Sequence, residues 1–461
     1  MISSQQLVER ALAHAGKQEL VVRVTQNSEA NLRWASNSMT TNGMITEQQV
    51  DIVAFATGSQ GRATATTSAV VRDETDIVDL VEAAQLAAGE AIPGDDTEPL
   101  LDAGVAADWD EGIPHTDPTV LTQVAEGLGE AFERALVDGV EHFGYAEHSV
   151  ETVFLGATTG TRLRFVQPTG RLEMTAKSHQ RSRSAWVGTA ETDMTHISVS
   201  ALDAELRQAL AWQGRTVDVA PGRHPTLLSP SAVADLMVDL YWSADARSAI
   251  DGSSVFARPG GTRVGERLGS PSLTLSSDPA DPVPGMRCAD FEVALSASGS
   301  ASPADNGLPL SRTDWISAGV LDHLVTTRHT AAEADLPVTP GIDNLTLTYE
   351  DGEGGIAELA ERMGEGLLVT CLWYNRVVDP QTLLLTGLTR DGVYVVRDGE
   401  IAGTCGNFRF NDSPVGILAR VRDGGRPERT LAREMGDYFN RAVMPALVVE
   451  DFNMSTASQA L

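Results

Sequence analysis

The sequence predicts an α+β protein in two parts: an N-terminal domain of antiparallel sheet with packed helices, and a β-rich, barrel- or sandwich-like C-terminal domain. Three observations predict it. Between Leu20 and Val70, β-prone runs alternate with Gly- and Asn-containing turns, and an apolar-faced helix pattern follows at once. After Pro221-Gly222 the pattern changes to short β-like runs spaced by Gly, Ser and Pro. No apolar run approaches the roughly 20 residues that a membrane-spanning helix needs.

The elements follow in order. Gln5 to Ala15 places Leu7, Val8, Ala11 and Leu12 on one helical face. Strands are expected at Leu20 to Val24, Asn31 to Thr40 and Gln49 to Ala56, with Asn42-Gly43 as a hairpin turn because both residues tolerate positive φ. Gly58 to Gly61 turns the chain again before Ala63 to Val70. A helix from Asp76 to Ala91, capped at Thr75-Asp76, presents Ile77, Leu80, Val81 and Ala84. Residues 93–118 hold four prolines and no period, which marks a linker. Thr119 to Val137 is a second helix, Val150 to Ala157 and Arg162 to Val166 are strands, Lys177 to Thr189 continues the sheet, and Ala201 to Gln213 is a third helix. The domain boundary falls near residue 220, giving domains of 1–220 and 221–461. Beyond it come a short strand at Pro225 to Leu228 and a helix over 230–247. Strands then recur at Ser272 to Ser276, Arg287 to Leu295, Leu345 to Tyr349, Gly366 to Trp373 and Gly392 to Val396.

Composition narrows the function classes. Hydrophobic residues at 42% and charged residues at 21% describe a globular chain. A net charge of −30 argues against nucleic acid or an anionic membrane as partner, since both are polyanions. Cys288, Cys371 and Cys405 are odd in number and widely spaced, and the first residues carry neither a basic nor an apolar export region. The expectation is cytoplasmic.

Searching for chemistry finds no complete motif. Zinc hydrolases need two imidazoles flanking a glutamate on one helix, and no such spacing exists. His142 and His148 around Glu147 fit neither that pattern nor its inverse, so a sheet or surface role is expected. Asp322-His323 and His329 fall in a helix-like segment at a spacing that splits the two histidines between faces. The glycine-dense run Gly260 to Gly265 lacks the lysine and following helix of a phosphate loop. Cys371 could act as a nucleophile, although an apolar strand is its simpler setting.

The segments Gly366 to Tyr374, Asp379 to Thr382, Leu385 to Val393, Gly399 to Ile401, Asn407 to Pro414 and Met444 to Leu447 resemble the TldD/TldE (PmbA) peptidase family. The first half agrees in layout, and the resemblance is strongest from Ser229 onward. It implies a heterodimer in which one subunit carries a His-Glu-x-x-x-His zinc motif on a helix just after a short strand. The other subunit shares the fold, lacks the motif and helps enclose a peptide cavity. The corresponding helix here runs from Ser231 to Ser243, and on the most natural register Val238 and Ser243 hold the histidine positions and Asp239 the glutamate position.

Neither Val nor Ser is a zinc ligand of ordinary strength. Val233, Leu236, Met237 and Leu240 form a core stripe that explains the helix without catalysis, which leaves Asp239 as a solvated acid on the polar face. The expectation is therefore no catalytic residue, metal or cofactor in this chain, with zinc in a TldD-like paralogue and an extended peptide as substrate. The strand Val369 to Tyr374, with Cys371, Trp373 and Tyr374, is the candidate peptide wall. The rival readings are a stand-alone peptide-binding or regulatory homodimer, and an independent hydrolase using Cys371 or scattered acids.

Overall fold

The computed structural model describes residues 2–59, 61–70 and 74–458. Its first half is a six-stranded antiparallel sheet of β1 (Leu20–Ala35), β2 (Ser38–Gly58), β3 (Gly61–Val70), β4 (Glu141–Ala157), β5 (Arg162–Ser178) and β6 (Arg183–Glu191), in the order β3-β2-β1-β4-β5-β6. The strands are longer than the sequence suggested. The hairpin turn lies at Ser36-Asn37, both with positive φ (49° and 60°), and not at Asn42-Gly43, which sits inside β2 opposite Leu32 and Asn31. The reason is a local anchor: Asn37 donates from Nδ2 to the Val140 carbonyl (2.7 Å) and accepts the His142 N–H at Oδ1 (2.7 Å), tying the turn to the start of β4. The other predicted turn, Gly58 to Gly61, does join β2 to β3, with Gln60 outside the described residues.

Helices cover one face of this sheet. Leu7, Val8 and Ala11 of α1 (Ser4–Ala13) and Ile77, Val81 and Ala84 of α2 (Glu74–Glu90) pack on Leu20, Val22, Val24, Val50, Ile52 and Ala54. The second helix begins at Glu74, so Thr75 and Asp76 lie in its first turn; residues 71–73 are outside the described residues. Val124, Leu128 and Ala131 of α3 (Thr122–Asp138), with Leu206 and Leu210 of α4 (Val199–Trp212), cover the other end around Trp34, Leu172 and Met174. His142, fully buried in β4, places Nε2 3.0 Å from Asp203 Oδ1 on α4, while His148 is buried against Thr116. The opposite face turns Val21, Val53, Phe55 and Leu155 toward Phe291, Val293 and Leu295 of the second half. The segment Arg287 to Leu295, expected as a strand, is irregular; it packs alternate side chains flat on this sheet and forms only an isolated bridge, Phe291 with Pro309.

The second half is built from two six-stranded mixed sheets around one helix. The first runs, in spatial order, Val320–Leu321, Thr313–Ser317, Leu273–Ser277, Leu345–Tyr349, Ala442–Met444 and Glu428–Thr430. The second runs Glu400–Thr404, Val393–Arg397, Gly366–Val369, β7 (Gly222–Leu228), Leu447–Met454 and Val421–Gly424. A four-stranded sheet carries Trp373–Asp379 at its edge. Leu228, Leu367, Val369 and Val393 face the shared core, while Leu227, Leu368 and Tyr394 face Leu359 on the other side, the period-two alternation of a sheet buried on both faces.

The helix in that core is α5 (Pro230–Trp242), capped by Ser229, whose hydroxyl accepts the Ala232 N–H (3.2 Å). It ends at Trp242, short of the expected 247; Asp245 then caps a separate short helix, Ala246–Ile250. His323 lies in a loop and His329 in the helix Arg328–Ala334, so that stretch is not one helix. No helix among the described residues is long and apolar enough to cross a membrane.

The packing of β4 between β1 and β5 leaves no room at Gly144. A Cβ there would stand 2.3 Å from the Glu173 carbonyl oxygen and 2.4 Å from Trp34 Cζ2. Because the first neighbour is backbone, Gly144→Ala should lower stability by about 1–3 kcal/mol, read from urea unfolding followed by Trp fluorescence.

Candidate functional site

The helix that carries the degenerate motif positions is buried on every side from Pro230 to Tyr241. Val238 is fully buried in the core. Ser243 is the C-cap; its hydroxyl donates back to the Asp239 carbonyl (2.8 Å), so its donor is spent on its own helix. Asp239 is not on a solvated face. It is 8% exposed, its Oδ2 has no hydrogen-bond partner, and burial, with the charge of Glu434 adding to it, pushes its carboxyl up to about 7. The correction has a simple cause: α5 packs between sheets, so even its polar stripe meets protein.

That stripe runs Ser231, Asp235, Asp239 and Ser243 at intervals of one helical turn, and the segment Leu431 to Phe439 covers it. Ser231 donates to the Leu431 carbonyl (2.8 Å), and the Glu434 and Met435 N–H groups donate to Asp235 Oδ1 (2.9 and 3.1 Å). Asp235 is fully buried, and burial holds its carboxyl well above the usual range. Sequence reasoning missed Asp235, Glu434 and this covering segment. Polar residues at four-residue spacing through an otherwise apolar helix were the available signal.

These residues do not fit a zinc ion. Val238 offers no donor, Ser243 is engaged, and Asp239 is shielded beside Asp235 and Glu434 with no imidazole near. Among the described residues, no group of three or more His, Cys, Asp or Glu is placed to hold a metal.

The proposed peptide strand is divided. Gly366–Val369 ends in one sheet and Trp373–Asp379 begins in another, so Val369 to Tyr374 is not one strand. Cys371, between them, is fully buried, its thiol weakly donating to the Arg390 carbonyl (3.4 Å), and burial pushes it far above ordinary thiol values. As folded it can neither line a peptide groove nor attack a substrate. Trp373 is partly buried beneath Arg433, whose guanidinium stands 3.6 Å from the ring centroid; Tyr374 is 48% exposed.

A wide opening lies elsewhere. A cleft of about 650 Å³ separates the sheet's second face from the C-terminal body, at the end of α5. Arg23, Glu151 and Phe165 form the sheet wall, and Trp242, Glu292 and Phe439 stand among the residues opposite. Tyr241, also lining it, is fixed by donating to the Ile342 carbonyl (2.9 Å) and accepting the Ile342 N–H (2.6 Å). Cys371, Trp373 and Tyr374 do not line this cleft.

Comparisons with known proteins come together on one group. The family model described as the PmbA/TldA metallopeptidase C-terminal domain matches residues 221–456, just over half of the chain. Three solved structures share the fold over nearly the full length. TldE from Thermococcus kodakarensis has a TM-score of 0.76 at 15% identity, covering 97% of this chain and 98% of its own. A proposed modulator of a DNA gyrase from Thermotoga maritima has 0.74 at 17%, covering 98% and 100%. A similarly described protein from Bacteroides thetaiotaomicron has 0.76 at 12%, covering 98% and 99%. No curated protein matches in sequence.

Two outcomes follow from this geometry. A carboxyl held near 7 in the fold is protonated when the unfolded chain's is not, so its burial penalty grows from about pH 4 to pH 7 and is complete above. Asp239→Asn should therefore stabilise the chain above about pH 7, by at most about 4 kcal/mol, with the gain fading toward about pH 4 in urea titrations. The thiols give the second: Cys288 and Cys405 are also buried, each pushed up to about 12 chiefly by burial. A water-soluble disulfide reagent should leave all three cysteines untouched in the native chain and titrate all three in denaturant.

Proposed function

The chain belongs to the PmbA/TldA metallopeptidase family, and from that membership we propose that it is the non-metal-binding subunit of a two-chain zinc peptidase. The observation that carries the reading is the state of the motif helix. A hydrocarbon stands at Val238, Ser243 spends its hydroxyl on its own helix, and Asp239 sits in a buried acidic stripe. Zinc, general base and attacking water would come from a paralogue carrying His-Glu-x-x-x-His. This chain contributes an interface and part of the wall that holds an extended, unfolded or modified peptide. The cleft at the end of α5 supports that role, because it is open between two walls fixed by their own packing.

Co-expression with such a paralogue tests the reading, followed by metal content and peptidase assays of each chain and of the pair. Zinc and cleavage should be found with the paralogue and the pair, and be absent from this chain alone. One zinc per molecule together with peptide cleavage by this chain alone would overturn the proposal. A homodimer that binds peptide and never co-purifies with the paralogue would instead establish the regulatory alternative.

A further inference from the structure

The cleft at the end of α5 has an unbalanced set of charges. Its arginines are committed: Arg23 bonds Asp51 through Nε (2.9 Å) and Nη2 (2.8 Å), and Arg441 pairs with Asp343. Asp245 is engaged as a helix cap, accepting the Ser248 N–H (2.7 Å). Among the described residues, the carboxylates of Glu151 and Glu292 have no hydrogen bond or ion pair. Glu292 is the sharper case, since it is only 9% exposed yet lines the opening. Phe291 and Val293 pin the segment to the N-terminal sheet, which fixes the backbone that carries Glu292 at the cleft.

We infer that this cleft binds a basic side chain of an extended peptide, a guanidinium or ammonium group, with Glu292 as its principal counter-ion. A buried carboxylate without a partner is costly, and a cation that reaches it recovers the missing interaction. The walls suit the rest of such a side chain. Trp242 is 47% exposed and Tyr438 78% exposed at the opening, and aromatic faces accept both an aliphatic stem and a cation. Glu151, on the sheet wall, faces the same space; Arg23 and Arg441 lie close enough to act on its charge without forming an ion pair with it, so it supports Glu292 as a secondary acid. Burial pushes the Glu292 carboxyl up to about 7, with Asp305 adding to the rise, so near neutrality the empty cleft holds it partly protonated and an arriving cation draws out the ionised form.

This inference deepens the reading of the chain as a peptide-holding subunit and rests on it. Its test needs neither zinc nor the paralogue, so the two can fail separately. The full chain is titrated calorimetrically with N-acetyl-Ala-Arg-Ala-amide and with the same peptide carrying citrulline, which keeps the shape and removes the charge. The arginine peptide should bind about tenfold or more tightly, as expected for a desolvated charge pair, and Glu292→Gln should erase that preference. Equal binding of the two peptides, or a preference that survives Glu292→Gln, would overturn the inference. Should that variant fail to fold, Glu151→Gln on the solvent-accessible wall decides: a preference reduced several-fold supports the site, and an unchanged one sinks it.

Discussion

A helix buried on every side has no water for its polar side chains, and that constraint on α5 organises the second half of the molecule. Ser231, Asp235 and Asp239 need protein partners or must be neutral, because an unpaired buried carboxylate costs several kcal/mol or more. The segment Leu431 to Phe439 meets that need for Ser231 and Asp235 by laying its own backbone across the stripe, and Asp239 is left to neutrality, its carboxyl raised to about 7. Once its course is set, so are Phe439 against Tyr241 and Trp242 and the aromatic end of the cleft.

The same segment links the halves. Arg433 stands over Trp373 and 5.5 Å from the Trp186 centroid, with Glu173 of β5 3.8 Å from its guanidinium, and Asp437 pairs with Arg171 on β5. A planar guanidinium can lie against indole faces and still meet a carboxylate at its edge, which an ammonium does less well. Cys371 belongs to this cluster with Leu431 and Trp186, and its burial follows from it. The polar stripe and the interface between sheets are thus joined through one short stretch of backbone.

How much of this was legible in the sequence depended on whether the deciding contact was local. The α+β class and the sheet-then-helix layout were readable, because alternation and helical periodicity report burial within a few residues. The family resemblance was carried by loops and strands from Ser229 onward. The hairpin was misplaced because Asn37 is fixed by Val140 and His142, about a hundred residues away, while Asn42-Gly43 offered a stronger local signal. Asp239 was misread for a related reason: a polar stripe on a helix signals solvent unless a distant segment covers it. Glu292 gave no signal at all, since only the cleft's far wall makes it significant.

The buried stripe also changes what the acidic composition means. The formal charge of −30 counts every Asp and Glu as ionised. Folding holds Asp235 well above the ordinary range and brings Asp239 and Glu292 to about 7, so near neutrality the native state keeps protons that the unfolded chain has released. The chain therefore takes up protons as it folds. Its heat of folding includes the ionisation heat of whatever buffer supplies them, and the native molecule is less negative than its sequence.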